Sequence, residues 1–150
     1  MSGTFTNLLY HVIFSTKDRV PVLEPALRPE LYAYMGGIIR GEKGSLITAG
    51  GVFDHVHLLA KFPPALSVSE MLRHIKANSS AWVNDARRVT GQFAWQAGYG
   101  AFSVSESAVG SVAVYIEGQV EHHRVRTFQE EFIVFLERHG VAYDERYIWH

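Results

Sequence analysis

The chain has no cysteine, and that single absence removes two classes of protein. No disulfide framework can hold it together, and no thiolate can bind a metal. Any ion must be held by imidazole, carboxylate or amide oxygen. Long hydrophobic runs are missing too. No stretch approaches the roughly eighteen consecutive apolar residues of a membrane span, and Met1-Ser2-Gly3-Thr4-Phe5-Thr6-Asn7 lacks the basic start and apolar core of a signal peptide. Charge is sparse, at 19% of residues, and sums to −1 with eight histidines counted as neutral. A dedicated duplex-binding domain is usually basic, so the sum argues mildly against that class. A local patch can still serve, because the field near a groove depends on placement more than on the total. Together these features describe a cytoplasmic protein with no membrane segment.

What is present is an ordinary folded composition. The 150 residues are 47% hydrophobic, enough for one domain with a real core. Phe5 to Thr16 is rich in β-formers and reads as a strand, with His11 inside its apolar run. Leu27, Leu31, Tyr34, Met35, Ile38 and Ile39 follow helical spacing, giving a helix to about Arg40. Two strands follow, Ser45 to Val52 and His55 to Phe62, paired around Phe53-Asp54 and stopped by Pro63-Pro64. Ser67 and Glu70 form a capping-box pattern for a second helix, whose apolar stripe runs through Met71, Leu72, Ile75 and Val83. A glycine-interrupted strand is expected from Gln92 to Ser105, then a helix from Ala108 to about His122. Thr127 with Glu130 starts a last helix, which runs to Gly140. The aromatic tail from Tyr143 to Trp149 docks either on this subunit or on a neighbour.

Strand, helix, strand, strand, helix, strand is the α+β, ferredoxin-like (RRM-like) split βαβ order, here with C-terminal helices added. Its helices cover one face of an antiparallel sheet and leave the other open for a ligand. Residues 1–150 read as one domain, with a core at about 5–105, a helix at about 108–122, and a C-terminal helix and tail at about 128–150.

Within this order, Asp54-His55-Val56-His57-Leu58-Leu59 stands out. On a strand, His55 and His57 point to one side while Val56 and Leu58 point to the other. Two imidazoles so placed can grip one cation, though two half-exposed histidines on a wet strand would give the same pattern. His11 suits a buried, satisfied histidine or a supporting partner near His55. Further on, Tyr115 and Gln119 are four apart and share a helical face, away from the stripe of Val109, Val112, Ile116 and Val120. Two imidazoles and an amide oxygen leave a divalent cation with open positions for phosphate oxygens. A tyrosine hydroxyl beside them can attack phosphorus and keep the phosphoester for rejoining.

The ordered set resembles the HUH single-tyrosine transposases of small insertion sequences, the TnpA type, with their repeat-associated domesticated relatives. It comprises Tyr10-His11-Val12-Ile13-Phe14-Ser15-Thr16-Lys17, Asp54-His55-Val56-His57-Leu58-Leu59, Tyr115-Ile116-Glu117-Gly118-Gln119, Glu121-His122-His123, Thr127-Phe128-Gln129-Glu130-Glu131-Phe132 and the tail from Tyr143 to Trp149. The resemblance implies His55, His57 and Gln119 as metal ligands, Tyr115 as nucleophile, and Mg²⁺ or Mn²⁺ as cofactor. It implies cleavage and rejoining of single-stranded DNA with hairpin ends through a 5′-phosphotyrosine. It also implies a homodimer, in which the tyrosine helix of one subunit can complete the site of the other.

Zinc usually recruits a further histidine or carboxylate, and His122 or His123 can supply one if the helix extends far enough. Phosphate contact or simple exposure is the other reading of those two. The densest basic cluster, Arg73, Lys76, Arg87 and Arg88, lies on the second helix and is either a DNA contact or a solvated face. No general base for Tyr115 is evident. A domesticated enzyme acting on repeat hairpins, or a non-catalytic single-strand-binding module of the same fold, are the rival functions.

Overall fold

The computed structural model describes residues 3–123 and 126–149. Four strands and five helices follow in order: β1 (Leu8–Ser15), α1 (Leu27–Gly41), β2 (Ser45–Gly51), β3 (His55–Phe62), α2 (Val68–Asp85), β4 (Gly100–Ser103), α3 (Val109–Glu117), α4 (Gln119–His122) and α5 (Phe128–Arg138). The sheet order is β2-β3-β1-β4, and every neighbouring pair is antiparallel. This is the split βαβ arrangement expected from the sequence, with helices added at its end.

Val12, Phe14, Val56, Leu58, Ala60 and Phe62 turn to one face of the sheet. There they meet Leu31, Met35 and Ile39 of α1 and Met71, Leu72, Ile75 and Val83 of α2. The Ser67 hydroxyl accepts from the Glu70 N–H and starts α2 as the sequence pattern indicates. Among the described residues no helix is long and apolar enough to cross a membrane.

The opposite face is not open, contrary to the expectation for a two-layer sandwich. Ile13 and Phe102 on that side pack under Phe128, Phe132 and Leu136 of α5, with Phe135, Tyr143, Ile148 and Trp149 around them. The tail therefore docks on its own chain, its Trp149 ring lying 6.2 Å from that of Phe132. Thr127 and Glu130 form a complete capping box that fixes where α5 begins.

β4 is much shorter than the run from Gln92 to Ser105. Residues 93–98 make only a single β-bridge, Trp95 to Thr16 beyond the end of β1, and side chains hold the rest. Asn84 bonds both backbone groups of Phe93, and the Lys76 ammonium donates to the carbonyls of Gln96, Ala97 and Gly98.

The helix expected from Ala108 to His122 is broken in two. Gly118, at φ −93° and ψ 18°, separates α3 from α4. α3 is seated on β2 by a close approach at Gly50, where a side-chain methyl would collide with the Ile116 carbonyl oxygen. The Thr48 hydroxyl, donating to Glu117 at 2.8 Å, anchors the same junction.

Candidate active site

His57 pairs with Ile13 and His55 with Ser15 across the β1–β3 ladder. Strand alternation therefore sends both imidazoles, with His11, to the face that α3–α5 cover. His55 and His57 are fully buried. Each has an outer partner on Nδ1: the Asp54 carboxylate for His55 at 2.8 Å, and His11 Nε2 for His57 at 2.8 Å. With its Nδ1–H donated to Asp54, a neutral His55 turns the lone pair of Nε2 inward, the form a metal ligand requires. His11 thus supports His57, not His55.

Both Nε2 atoms face a carboxylate that sequence reasoning did not single out. Glu131 of α5 is buried, and its Oε1 lies 2.9 Å from His57 Nε2, 3.5 Å from His55 Nε2 and 3.2 Å from His123 Nε2. Its other oxygen accepts a hydrogen bond from the Tyr115 hydroxyl. Gln119 is buried too, its Oε1 being 3.3 Å from His55 Nε2 and 3.0 Å from His123 Nε2. His55, His57, Tyr115 and Gln119 therefore meet within one chain. His122 does not join the ring of nitrogens, and its imidazole packs against the Tyr115 ring at 4.6 Å.

Two expectations about the tyrosine helix change. Gln119 points inward, whereas Val120, assigned to the apolar stripe, is exposed. The break at Gly118 turns α4 relative to α3, and that turn also brings His123 into reach.

Electrostatics follow from burial and pairing. Burial, with His55 and His123 beside it, pushes His57 down to about 4 despite its bonds to Glu131, and burial, with His57 beside it, takes His11 to about 3. For His55 burial also acts downward, but hydrogen bonds to Asp54 and Glu131 outweigh it and hold the imidazole above its ordinary value. The Glu131 carboxyl would be raised by burial, yet hydrogen bonds from His123, His55 and His57 hold it far below the usual carboxylate range. Burial and the adjacent Glu131 push the Tyr115 phenol well above its ordinary value. The resting arrangement is thus an ionised carboxylate accepting from a neutral phenol.

One ligand atom each from His55, His57, His123 and Glu131 lies within 4.8 Å of the others. Three imidazoles, a carboxylate and the Gln119 amide at this spacing are a donor set that suits a divalent cation. A cavity of about 290 Å³ opens beside it, lined by Tyr115, His122, His123, Arg126, Glu131 and Arg138. Among the described residues, Arg126 and Arg138 are the arginines that line it with Tyr115.

Of the basic cluster, Arg73 and Lys76 lie on α2, which covers the other face of the sheet, while Arg87 and Arg88 fall past the end of the helix at Asp85, contrary to expectation. Lys76 spends its ammonium on three carbonyls, and burial lowers it to about 8. The Arg88 guanidinium stacks 3.8 Å from the Trp82 ring centroid. Arg73 and Arg87 are exposed.

Glu131 carries a sequence signal that helical spacing can expose. Phe128, Phe132, Phe135 and Leu136 mark the inward side of α5, and position 131 falls among them. A carboxylate there must find partners inside. His123 lies four residues beyond Gln119 and is visible by the same spacing.

The family profile described as "Transposase IS200 like" matches residues 4–119, which includes His55, His57, Tyr115 and Gln119 and stops short of His123 and Glu131. The transposase of insertion sequence element IS200 from Salmonella typhimurium is 26% identical over 80 residues, 53% of this chain and 53% of the relative. The chain thus spans about half the length of that curated relative. The ISDra2 transposase TnpA of Deinococcus radiodurans is 27% identical over 122 residues, covering 78% of this chain and 87% of that one. A crystal structure of a candidate transposase from Deinococcus radiodurans R1 superposes with a TM-score of 0.63 at 26% identity, over 79% of this chain and 95% of that one. A REP-associated tyrosine transposase bound to a REP hairpin superposes with a TM-score of 0.55 at 14% identity, over 77% of this chain and 70% of that one. That last likeness is one of fold.

Proposed function

Taking as premise that the chain belongs to the IS200-like transposase family, we propose that it cuts and rejoins single-stranded DNA through a covalent bond to Tyr115. The observation that carries this reading is the convergence of the Tyr115 hydroxyl and the Nε2 atoms of His55 and His57 on one buried carboxylate, Glu131.

In the reaction the Tyr115 oxygen attacks phosphorus, and its proton passes to the Glu131 oxygen that already accepts its hydrogen bond. The bond from phosphorus to the 3′ oxygen breaks, and the leaving oxygen takes a proton from solvent. A 5′-phosphotyrosine and a free 3′ hydroxyl result. Rejoining runs the same steps backwards, with Glu131 returning the proton to the phenolate. Arg126 and Arg138, which line the cavity with Tyr115, offset the charge of the phosphate.

His55, His57, His123 and Glu131, with the Gln119 amide beside them, would hold the divalent cation. Bound there, it supplies Lewis-acid polarisation of the phosphate oxygens and lowers the cost of ionising the buried phenol. The imidazole-rich set favours Mn²⁺ over Mg²⁺. Because Tyr115 reaches the histidines of its own chain, each subunit of a homodimer would complete its own site. DNA with hairpin ends is the proposed substrate. A domesticated role on repeat hairpins uses the same chemistry and the same residues.

The test is incubation with end-labelled single-stranded oligonucleotides from DNA flanking the coding sequence, with Mn²⁺ or Mg²⁺. A covalent protein–DNA adduct is expected from the wild type and none from Tyr115→Phe. An adduct that persists in Tyr115→Phe sinks the assignment. An equimolar mixture of Tyr115→Phe and His57→Ala chains should form no adduct; recovered activity would place the tyrosine in the partner's site instead.

A further inference from the structure

A second opening borders the histidine cluster at His123, Tyr115 is not among its lining residues, and its chemistry differs from that of the tyrosine's cavity. It encloses about 720 Å³ and shares His123 and Arg126 with the smaller cavity. Its walls are Pro25, Phe53, Val120 and Phe128, and the Asp54 carboxylate sits at its edge. Of its two cations, Arg28 is committed to the Leu23 carbonyl and the Phe53 ring, and Arg126 stands at the end shared with the smaller cavity. A flat, apolar ring is accommodated well, and the volume lies within the range of small-ligand pockets.

Phe53 is the feature that decides what the ring does there. It projects from the turn between β2 and β3 with 43% of its surface exposed. One side of its ring is taken by the Arg28 guanidinium, 4.7 Å from the ring centroid. Arg28 is itself buried and fixed by donating from Nε to the Leu23 carbonyl at 3.0 Å. The Phe53 backbone is fixed as well, its carbonyl accepting from the Leu23 N–H at 2.9 Å. The ring is therefore held in place while keeping exposed surface on which another ring can stack.

We propose that this pocket receives one unpaired nucleobase of the strand that reacts, stacked on Phe53, adjacent to the phosphate at Tyr115. The inference rests on the single-stranded DNA reading above and adds a subsite to it. Continuity supports it: Arg126 lines both openings, so a phosphate in the small cavity and a base in the large one are bridged by one guanidinium. Stacking on an aromatic ring accepts every base, because each has a π-face. The pocket therefore sets the path of the strand rather than its sequence.

The experiment uses the full Tyr115→Phe chain, which holds DNA without cutting it, and short single-stranded oligo(dT) carrying 5-iodouracil. Ultraviolet irradiation should cross-link the iodouracil to the peptide containing Phe53. In fluorescence anisotropy, Phe53→Ala should raise Kd about tenfold, and Phe53→Tyr, which keeps the ring, should restore binding to within about twofold of the Phe53 chain. Binding of the Phe53→Ala chain within about twofold of its parent overturns the pocket alone, as do cross-links confined to the arginine-bearing peptides of α2. A change in sedimentation of Phe53→Ala would mean that a second copy of the chain covers Phe53, and would overturn the proposal too. No binding of oligo(dT) by the parent chain overturns the single-stranded DNA reading itself.

Discussion

Val56 and His57 are neighbours in β3, yet their side chains enter opposite environments. Val56 joins Val12, Phe14 and Leu58 in an apolar cluster against α1 and α2. His57 turns to the α5 side, where the same two strands bury His11 and His55 beside Gln119 and Glu131. The first face gains free energy from each buried methylene. The second buries groups that cost free energy unless their polar atoms are paired, and its hydrogen bonds meet that cost. Period-two alternation lets one strand serve both purposes: one face holds the domain together, while the other holds reactive groups under a lid of helices.

The widest contrast should come from substituting adjacent residues. At an ion concentration of a hundred Kd the wild type should gain about 2.7 kcal/mol from Mn²⁺, read as a rise in Tm. His57→Ala should lose that rise and slow adduct formation by about a thousandfold or more. Leu58→Ala, one residue on, should cost about 2–5 kcal/mol of stability and leave Mn²⁺ affinity unchanged. Equal loss of ion binding in both variants would break the division between faces.

Glu131→Gln sharpens the comparison within the polar face. It keeps the shape and removes the proton acceptor, so single-turnover adduct formation should fall by about a hundredfold to ten-thousandfold. A rate within threefold of wild type would take Glu131 out of the proton transfer. The smallest effect belongs to Gly118→Ala. The backbone there is open to alanine, and the added methyl would meet the Val114 carbonyl at an ordinary 3.4 Å. Stability should rise by up to about 1 kcal/mol, while cleavage and rejoining slow as the break between α3 and α4 stiffens. Unchanged rates alongside higher stability would mean that the break plays no part in moving the tyrosine.

The apolar face was the legible one. Its strands and helices follow periodicity, and β3 begins and ends where the sequence places it, at His55 and Phe62. The polar face was legible only in part. His55, His57, Tyr115 and Gln119 are visible as local pairs at strand and helix spacing. Glu131 meets His57 across a separation of 74 residues, through a helix packed on the face expected to be open. No local period encodes that contact. The basic cluster of Arg73, Lys76, Arg87 and Arg88 was hard to place for a related reason, since charge density along the chain does not say which face of the sheet a helix covers or where it ends. Arg126 and Arg138, twelve residues apart in the sequence, come together on one cavity through the fold.

The contact between Gly50 and the Ile116 carbonyl works as a ruler made of backbone. Ile116 follows Tyr115 directly, and Gly50 pairs with His57 across the sheet, so the contact joins the chain neighbour of Tyr115 to the cross-strand neighbour of His57. With no side chain in the gap, the distance between them is set by main-chain atoms alone. Substitutions along the exposed side of α3, at Val114 for example, leave that distance as it is. The exposed side of α3 is thus free to drift in sequence while the reach of the tyrosine stays calibrated.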